Sequence, residues 1–278
     1  MSHPEPEPAP PGDTANIHLR MLGKDHTFSV PIPLGERTVL DLLPAARELT
    51  AQATAVVVDD ARAQGREISC RAGCGACCRQ LVAISYVEAQ DLADLVASMP
   101  PERQAVIRAR FAEAVRRLEA AGLLGPVEPD GRAMLAPDLG TRESSLQVVA
   151  RLYFEQQIPC PFLEDESCSI HPRRPLVCRE YHVTSPAENC ARLYQVGVDR
   201  VMPPLHMGDV LARTAHLAVG ASEGTIPLVL SLEWSEAHGA QLKQPRDGME
   251  MFRTMIGEID PDHARPFGGR EGEGAGSP

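Results

Sequence analysis

Eight cysteines are the residues of this 278-residue chain with the clearest capacity for chemistry, and they fall into two groups. Four stand close together in the first group and four are spread out in the second: Cys70, Cys74, Cys77 and Cys78, then Cys160, Cys168, Cys178 and Cys190. Thiolates are the ligands of structural zinc ions and of iron–sulfur clusters. We therefore predict that all eight cysteines are metal ligands, gathered around iron or zinc.

The first group has a spacing that favours convergence on one metal. Two residues separate Cys74 from Cys77, and a tight turn over this distance brings both sulfur atoms to the same side. Gly73 and Gly75 flank Cys74 and allow the backbone φ values that such a turn needs. The adjacent side chains of Cys77 and Cys78 are expected to diverge. One of them would then serve a second metal or another iron of a cluster, or act as a redox thiol.

The second group spans a proline-rich stretch that we expect to hold no regular helix. Seven, nine and eleven residues separate its successive cysteines, and His171 and His182 between them are further candidate ligands. Neither group alone has the two C-x2-C pairs that make up a zinc ribbon. Together the groups supply enough thiolate for one four-cysteine cluster and a second ion, or for one site with spectator cysteines. A zinc ion that only holds the loops in place is the alternative interpretation.

Arginines accompany both cysteine groups. Arg79 and Arg179 each follow a cysteine directly. A cation beside a thiolate lowers the pKa of that thiol and offsets the negative charge of a thiolate-bound metal. We predict that these two side chains lie around the cofactor without ligating it.

Composition and charge narrow the class of protein. Hydrophobic residues make up 43% of the chain, which indicates a globular protein, and a formal net charge of −11 argues against nucleic acid or an anionic membrane as partner. A protein partner is left open. The first residues lack the basic and apolar segments of a secretory signal, so we expect a cytoplasmic location with reduced thiols. Export would instead favour four disulfides.

The elements that must position the cysteines are predicted to be mostly helices. Alternating apolar residues predict a β-hairpin with strands around 17–21 and 28–32 and a turn at 23–25. Ser85 and Glu88 form a capping box that starts a helix. Helical spacing predicts six more helices, at 44–66, 101–124, 142–157, 206–220, 227–238 and 247–259. In the second of these, Val106 is expected to face the core.

The predicted fold is mainly α with a small N-terminal β-hairpin, and irregular cysteine-rich loops form a metal site between the helices. We expect a single mostly helical domain at 15–261, with the cysteine cluster region at 68–190. The tails at 1–14 and 262–278 are rich in Pro, Glu or Gly and are predicted to be disordered. Residues 125–142 are predicted to be a loop.

Two blocks of this sequence resemble a known family. The first runs from Ser69 to Val82, and the second contains the segments Cys160-Pro161-Phe162-Leu163, Cys168-Ser169-Ile170-His171, Arg174-Pro175 and Cys178-Arg179. In this order they resemble the YkgJ-type cysteine cluster proteins, which have a zinc- or iron-chelating CxxCxxCC domain. The resemblance covers about residues 68–190 and implies metal or iron–sulfur binding. Some relatives are flagellin lysine N-methylases with a similar cysteine domain.

The first functional hypothesis is a metal-binding protein that carries an iron–sulfur cluster, of the [4Fe–4S] type, held by the two cysteine-rich loops. One alternative is a cluster-dependent enzyme that modifies proteins, similar to a lysine methylase. The other is a structural zinc-binding module that serves in protein interactions.

Overall fold

The computed structural model describes residues 13–127, 132, 142–203, 205–221 and 224–259, without the side chains of 142–146. The C-terminal tail and nearly all of the N-terminal tail predicted from the sequence lie outside these residues, as does most of the predicted loop at 125–142. Thr14, the last residue assigned to the N-terminal tail, already belongs to the first strand.

The predicted N-terminal hairpin is confirmed. Strand β1 (Thr14–Met21) pairs antiparallel with β2 (Lys24–Pro31). Leu22 and Gly23 make the turn with φ values of 52° and 75°, so the connection is two residues long. Lys24 and Asp25, expected in the turn, are therefore part of β2. One face of the hairpin is buried and consists of Ile17, Met21, Phe28 and Val30.

The mainly helical architecture is confirmed as well. In the described residues the α-helices are α1 (Leu43–Ala63), α2 (Tyr86–Ser98), α3 (Pro101–Ala120), α4 (Arg142–Glu155), α5 (Leu176–Glu180), α6 (Met207–Val219), α7 (Ser231–Leu242) and α8 (Gly248–Gly257). No helix among the described residues is both long and apolar enough to cross a membrane.

Short antiparallel strand pairs connect distant parts of the chain. They are β3 (Glu36–Arg37) with β10 (Arg246–Asp247), β4 (Ala83–Ser85) with β9 (Thr225–Pro227), β5 (Leu163–Glu164) with β6 (Ser167–Cys168), and β7 (His182–Val183) with β8 (Arg200–Val201). The β4–β9 pair joins the segment after the first cysteine group to the C-terminal helices. The β5–β6 pair is a hairpin within the second cysteine group.

Helix α3 differs from its prediction at its C-terminal end and on its buried face. It ends at Ala120 instead of residue 124 because Gly122 follows in the left-handed region, at a φ of 66°. Val106 is 46% exposed, whereas its neighbour Ile107 is fully buried. The prediction for Val106 was therefore wrong, and Ile107 takes its place on the buried face with Phe111 and Leu118.

The predicted capping box at the start of α2 is confirmed. The Ser85 hydroxyl accepts a hydrogen bond from the Glu88 backbone N–H at 3.3 Å, and the Glu88 carboxylate accepts one from the Ser85 N–H at 3.1 Å. Both side chains are buried. The carboxylate of Glu88 therefore lies inside the protein, where it can also accept a hydrogen bond from a neighbouring helix.

Two hydrophobic cores support the cysteine region. The larger core joins the hairpin with α1, α2, α6 and α8, and Cys160 and Cys168 pack against it. The smaller core lies between α3, the end of α4 and the turn at Leu228–Leu230. Two cysteines of the second group thus help to pack this segment against the main core of the protein.

The two ends of helix α8 give a test of the close packing in the fold. A Cβ atom at Gly248 would lie 2.3 Å from the backbone oxygen of Pro33, which cannot move freely. We expect Gly248→Ala to lower the free energy of unfolding by about 1–3 kcal/mol, because the added methyl group would overpack this contact. Gly257→Ala is the control, since its Cβ meets open space, and it should raise stability by up to about 1 kcal/mol. Equal thermal unfolding midpoints for the two variants would contradict this packing.

Candidate metal centre

The two cysteine groups meet directly through their backbones. The Cys160 N–H donates a hydrogen bond to the Cys78 carbonyl at 2.7 Å, which joins the last residue of the first group to the first residue of the second. At the other end, the Ser69 N–H donates to the Val183 carbonyl at 3.0 Å. The first group is therefore held at one side by the start of the second group and at the other by strand β7, which lies between Cys178 and Cys190.

Glycines shape the first cysteine loop. Gly73 has a φ of 79°, in the left-handed region that other residues avoid. Gly75 has a different role, because a Cβ atom there would lie 2.7 Å from the Leu163 side chain and 2.6 Å from the Glu166 carboxylate. A residue without a side chain lets the β5–β6 hairpin approach the first loop. The chain then turns through a 3-10 helix at Ala76–Arg79, which carries Cys77 and Cys78.

The second cysteine group contains more regular structure than its prolines predicted. Cys168 lies at the end of β6, Cys178 lies in the short helix α5, and Cys190 lies in a 3-10 helix at Ala187–Arg192. The expectation that no regular helix could form there was wrong. Pro175 stands immediately before α5, where its missing N–H costs no helical hydrogen bond.

Helix α3 anchors the second cysteine group through arginines spaced seven residues apart. Arg110 donates to the Pro161 carbonyl at 3.1 Å and to the Glu164 carboxylate at 2.7 Å. Arg103 contacts the same carboxylate, and Arg117 donates to a backbone carbonyl just before Cys160, that of Gln156, at 2.5 Å. This stripe was not singled out from the sequence, although its spacing marks one face of a helix.

Buried carboxylates hold helix α5 at both ends. The Leu176 N–H at its start donates to Glu88 at 2.8 Å, so the capping residue of α2 also caps α5. Glu180 at its end accepts from the Met207 N–H at 3.2 Å. Burial is the main cause that raises the pKa of both carboxyls, that of Glu180 to about 8. Cys178 is thereby fixed between α2 and α6.

The thiols of the two groups lie close enough to influence one another. All eight cysteines are free thiols. Burial is the largest cause that raises the pKa of Cys160, to about 12, and a negative charge on Cys77 or Cys168 raises it further. The pKa of Cys178 is raised by burial and then by Cys160, Cys77 and Cys168. Cys77 of the first loop is therefore near enough to thiols of the second for its charge to act on them.

Cys77 and Cys78 do not diverge as expected. Their thiols hydrogen-bond to each other, and this contact is the largest cause that raises the pKa of Cys77, followed by burial. Each sulfur can rotate about its own Cα–Cβ bond, so adjacent residues in the tight 3-10 turn can still bring their sulfur atoms together.

Backbone N–H groups point at three of the sulfur atoms. The Phe162 N–H donates to Cys160, the Ile170 N–H donates to Cys168, and the Val183 N–H donates to Cys70. Each of these hydrogen bonds lowers the pKa of its thiol, against the larger effect of burial. Hydrogen bonds to sulfur stabilise the thiolate form, which is the form that ligates metals.

The two arginines chosen from the sequence lie beside thiols but have other partners. Arg79 forms two hydrogen bonds with Glu166, at 2.6 and 3.0 Å, and one with the Gly75 carbonyl at 3.0 Å. It therefore links the two loops while its charge is paired. Arg179 donates to the Arg174 carbonyl at 3.1 Å. Burial is the main cause that lowers the pKa of Arg179 to about 10, and neighbouring Arg174 lowers it further.

Arg174 also stands close to the cysteines in the sequence, but Arg79 and Arg179 were preferred to it because each follows a cysteine directly. The charge of Arg174 lowers the pKa of thiols from both loops, namely Cys70, Cys77, Cys168 and Cys178. Its Nε atom is buried and has no hydrogen-bond partner among the described residues. The guanidinium is held by a 2.8 Å contact between its Nη1 and His171 Nε2. The signals for Arg174 in the sequence were its closeness to Cys178 and the Arg174-Pro175 pair of the family motif.

The two candidate histidines differ in their contacts. His171 Nε2 faces Arg174, whereas His182 Nδ1 is buried and has no hydrogen-bond partner among the described residues. Burial is the largest cause that lowers the pKa of both imidazoles, and the charge of Arg174 lowers it further.

The arrangement fits a thiolate-bound metal in its chemistry. Sulfur donors, N–H groups directed at sulfur and a nearby guanidinium all favour thiolates, which select zinc or iron–sulfur clusters. Among the described residues, no three His, Cys, Asp or Glu side chains already have the geometry that holds an ion. The thiols are neighbours, and their side chains would have to turn towards a shared metal.

An open groove of about 480 Å³ lies beside the first cysteine loop. Cys74 contributes to its wall, together with charged residues of both signs: Arg71, Arg79, Glu166 and Glu188. One side of the thiol cluster can therefore be reached from solvent.

Residues 69–193 match the model of the CxxCxxCC family, which is described as a "putative zinc- or iron-chelating domain". The matched segment contains all eight cysteines. No curated protein and no solved structure matches the chain. The family match confirms the resemblance that the sequence motifs indicated, and the description connects this segment with the binding of zinc or iron.

Gly75 provides a test of the contact between the two loops. Gly75→Ala should push the β5–β6 hairpin away from the first loop, because the new methyl group overlaps Leu163 and Glu166. We expect about 1–3 kcal/mol of destabilisation and a lower metal content per chain. Gly197→Ala is the matched control, since its Cβ meets open space. Elemental analysis and thermal unfolding would measure both effects, and unchanged metal content in Gly75→Ala would contradict the role of this contact.

Arg174 provides a second test. Replacing Arg174 by Gln removes the charge that acts on thiols of both loops, and residues that support a metal site in this way typically contribute about 10- to 100-fold in metal affinity. We expect a loss of that size for Arg174→Gln when the protein competes with a chromophoric chelator for zinc. Arg71→Gln is the control, because Arg71 is exposed and also follows a cysteine directly. Equal affinities for the Arg174→Gln variant and the unchanged protein would show that Arg174 has no such role.

Proposed function

We propose, from the premise that residues 69–193 are a CxxCxxCC domain, that this chain binds metal through cysteine thiolates of both loops and that the metal is an iron–sulfur cluster of the [4Fe–4S] type. The observation that carries this proposal is the direct contact between the two cysteine groups, in which the Cys160 N–H donates to the Cys78 carbonyl at 2.7 Å. In agreement with this contact, a charge on Cys77 raises the pKa of second-loop thiols, including Cys160, Cys178 and Cys190.

The donor set supports a cluster. Iron–sulfur clusters are held by cysteine thiolates, and their properties are tuned by hydrogen bonds to the sulfurs. Both features are present, since both loops supply cysteine thiols and N–H groups donate to Cys160 and Cys168. The chain also offers more thiols than the four that one tetrahedral zinc ion takes.

Structural zinc is the second candidate, and the way the site is built favours it. Structural zinc sites are closed and four-coordinate. Cys160 and Cys168 pack against the main core, and Cys178 is fixed in α5 between two buried carboxylates. A zinc ion there would join the two loops and leave the surface available for a protein partner.

Either metal would couple to folding. The pKa values of the clustered thiols are raised, so in the metal-free protein these thiols are protonated at neutral pH. Metal binding must therefore release protons, and its free energy becomes part of the stability of the folded chain. Loss of a ligand should consequently reduce both metal content and soluble yield.

Anaerobic purification followed by analysis for iron, zinc and sulfide tests the proposal. We expect iron and sulfide in equal amounts and a broad visible absorption band from charge transfer. Cys74→Ser and Cys77→Ser should lower metal content and soluble yield together, whereas Ala76→Ser, which places the same side chain between them, should lower neither. A colourless protein that contains zinc would select the second candidate. Full metal loading in Cys77→Ser would exclude Cys77 as a ligand.

A further inference from the structure

We propose that Tyr181 is a positioning residue of the metal centre, whose phenol O–H donates a hydrogen bond to the sulfur of Cys190 when this cysteine ligates metal. The inference rests on the proposed function, because it takes Cys190 as a ligand and adds a residue that acts through it. Contacts from three other segments of the chain carry it: the sulfur of Cys190, the amide of Gln80 and the guanidinium of Arg200 all meet the Tyr181 side chain.

Cys190 lies beside the first cysteine loop, although it is the last cysteine in the sequence. It belongs to the 3-10 helix Ala187–Arg192, which packs against the 3-10 helix Ala76–Arg79 that carries two cysteines of the first group. Ala191 from its own helix and Cys74 from the first loop contribute to the wall of the same groove. Cys190 itself is 4% exposed. It is therefore held against the first loop from the side of the protein interior.

The phenol of Tyr181 is the polar group that contacts this sulfur. Its oxygen lies 3.9 Å from Cys190 Sγ, and in a free thiol either atom can be the donor. A thiolate that ligates metal has no proton, whereas a phenol keeps its proton at neutral pH. The phenol must then donate, and the contact should shorten because hydrogen bonds to charged acceptors are shorter. The direction of this hydrogen bond is therefore fixed in the metal-bound protein.

A residue at the end of the first cysteine loop orients the hydroxyl. Gln80 is the C-cap of the 3-10 helix Ala76–Arg79, and its side-chain N–H donates to the Tyr181 oxygen at 3.4 Å. That hydrogen bond uses a lone pair of the phenol oxygen and leaves the phenol hydrogen without a role in it. The hydrogen therefore remains available for the sulfur of Cys190.

A cation makes the phenol a stronger donor. The guanidinium carbon of Arg200 lies 5.3 Å from the centre of the Tyr181 ring, within the distance at which a cation is attracted to an aromatic face. Positive charge at this position draws electron density from the ring and so strengthens the O–H donor. Strand pairing places the cation there, because Arg200 pairs with Val183 shortly after Tyr181.

A hydrogen bond to a ligand sulfur changes the metal centre without adding a ligand. It lowers the electron density on sulfur, so charge transfer from sulfur to metal needs more energy, and it raises the reduction potential of an iron–sulfur cluster. Residues that support ligands in this way typically contribute about 10- to 100-fold in metal affinity. A side chain with only a structural role would change stability and leave the energy of charge transfer unaltered.

Cobalt is a suitable probe because Co²⁺ binds at thiolate sites and gives a sulfur-to-metal charge-transfer band. We would titrate the metal-free protein with Co²⁺ and record the position of the band and the affinity. Tyr181→Phe removes the hydroxyl and keeps the ring, so the band should move to longer wavelength and the affinity should fall about 10-fold. Tyr194→Phe is the matched control, since Tyr194 is 45% exposed and packs its ring against Phe154. It should change neither quantity.

A double-mutant cycle tests whether Tyr181 acts through Cys190. Cys190→Ser alone should weaken the charge-transfer band, because one sulfur ligand is lost. Adding Tyr181→Phe to Cys190→Ser should cause no further shift, because the sulfur that accepts the hydrogen bond is already gone. The comparison of Tyr181→Phe with Tyr194→Phe needs no cysteine variant, so the test stands even where Cys190→Ser fails to fold.

The outcomes separate this inference from the proposed function. An unshifted band in Tyr181→Phe, a full-strength band in Cys190→Ser, or an equal shift by Tyr181→Phe with and without Cys190 would each overturn the inference and leave metal binding in place. A protein without substitutions that gives no charge-transfer band with cobalt would overturn metal binding through thiolates itself. For the iron-loaded protein, we expect Tyr181→Phe to have a lower reduction potential than Tyr194→Phe, and equal potentials would overturn the inference as well.

Discussion

The structure depends on holding thiols from two distant segments close together while they are uncharged. Cys77 lies near enough to thiols of the second loop to act on them, and each thiolate that forms raises the pKa of its neighbours. Burial acts in the same direction because it disfavours every charged form. The cluster therefore resists ionisation one thiol at a time, although several thiols can ionise together when a cation binds them. When a metal cation is bound, its positive charge offsets both the repulsion between neighbouring thiolates and the cost of burying them.

Polar anchors, together with apolar packing, hold the loops in this position. Loop backbone has few partners of its own, so its buried N–H and C=O groups must be satisfied from elsewhere. Glu88 accepts from the start of α5, and Arg110 donates to the carbonyl of Pro161 next to Cys160. Both side chains belong to helices that are themselves fixed by the core. The cysteine loops contain little regular structure of their own, and contacts from neighbouring helices hold them in place. A metal site with several ligands needs such support from surrounding residues.

The sequence predicted the parts of this structure that are encoded locally. The hairpin, the helices and the Ser85–Glu88 capping box follow from periodicity and end signals, and the cysteine motif indicated the family. The sequence could not show which residues meet across the fold. Arg174 acts on four thiols only because two loops converge on it, and the thiol contact between Cys77 and Cys78 depends on side-chain rotation. Such features belong to tertiary structure, which spacing along the chain does not report.

The arginines indicate where metal binding and folding are most strongly coupled. Arg79 shares its charge with Glu166 near the surface, so it contributes mainly by joining the loops. Arg179 is different, because burial together with Arg47 and Arg174 lowers its pKa to about 10, while charge on Cys178 raises it. Buried cations that repel one another cost stability, and so do buried thiolates, but each lowers the cost of the other. Arg174 and Arg179 lie near the thiols of Cys168 and Cys178 around α5. The second loop should therefore gain more from metal binding than the first, even though the first carries the denser cysteine motif.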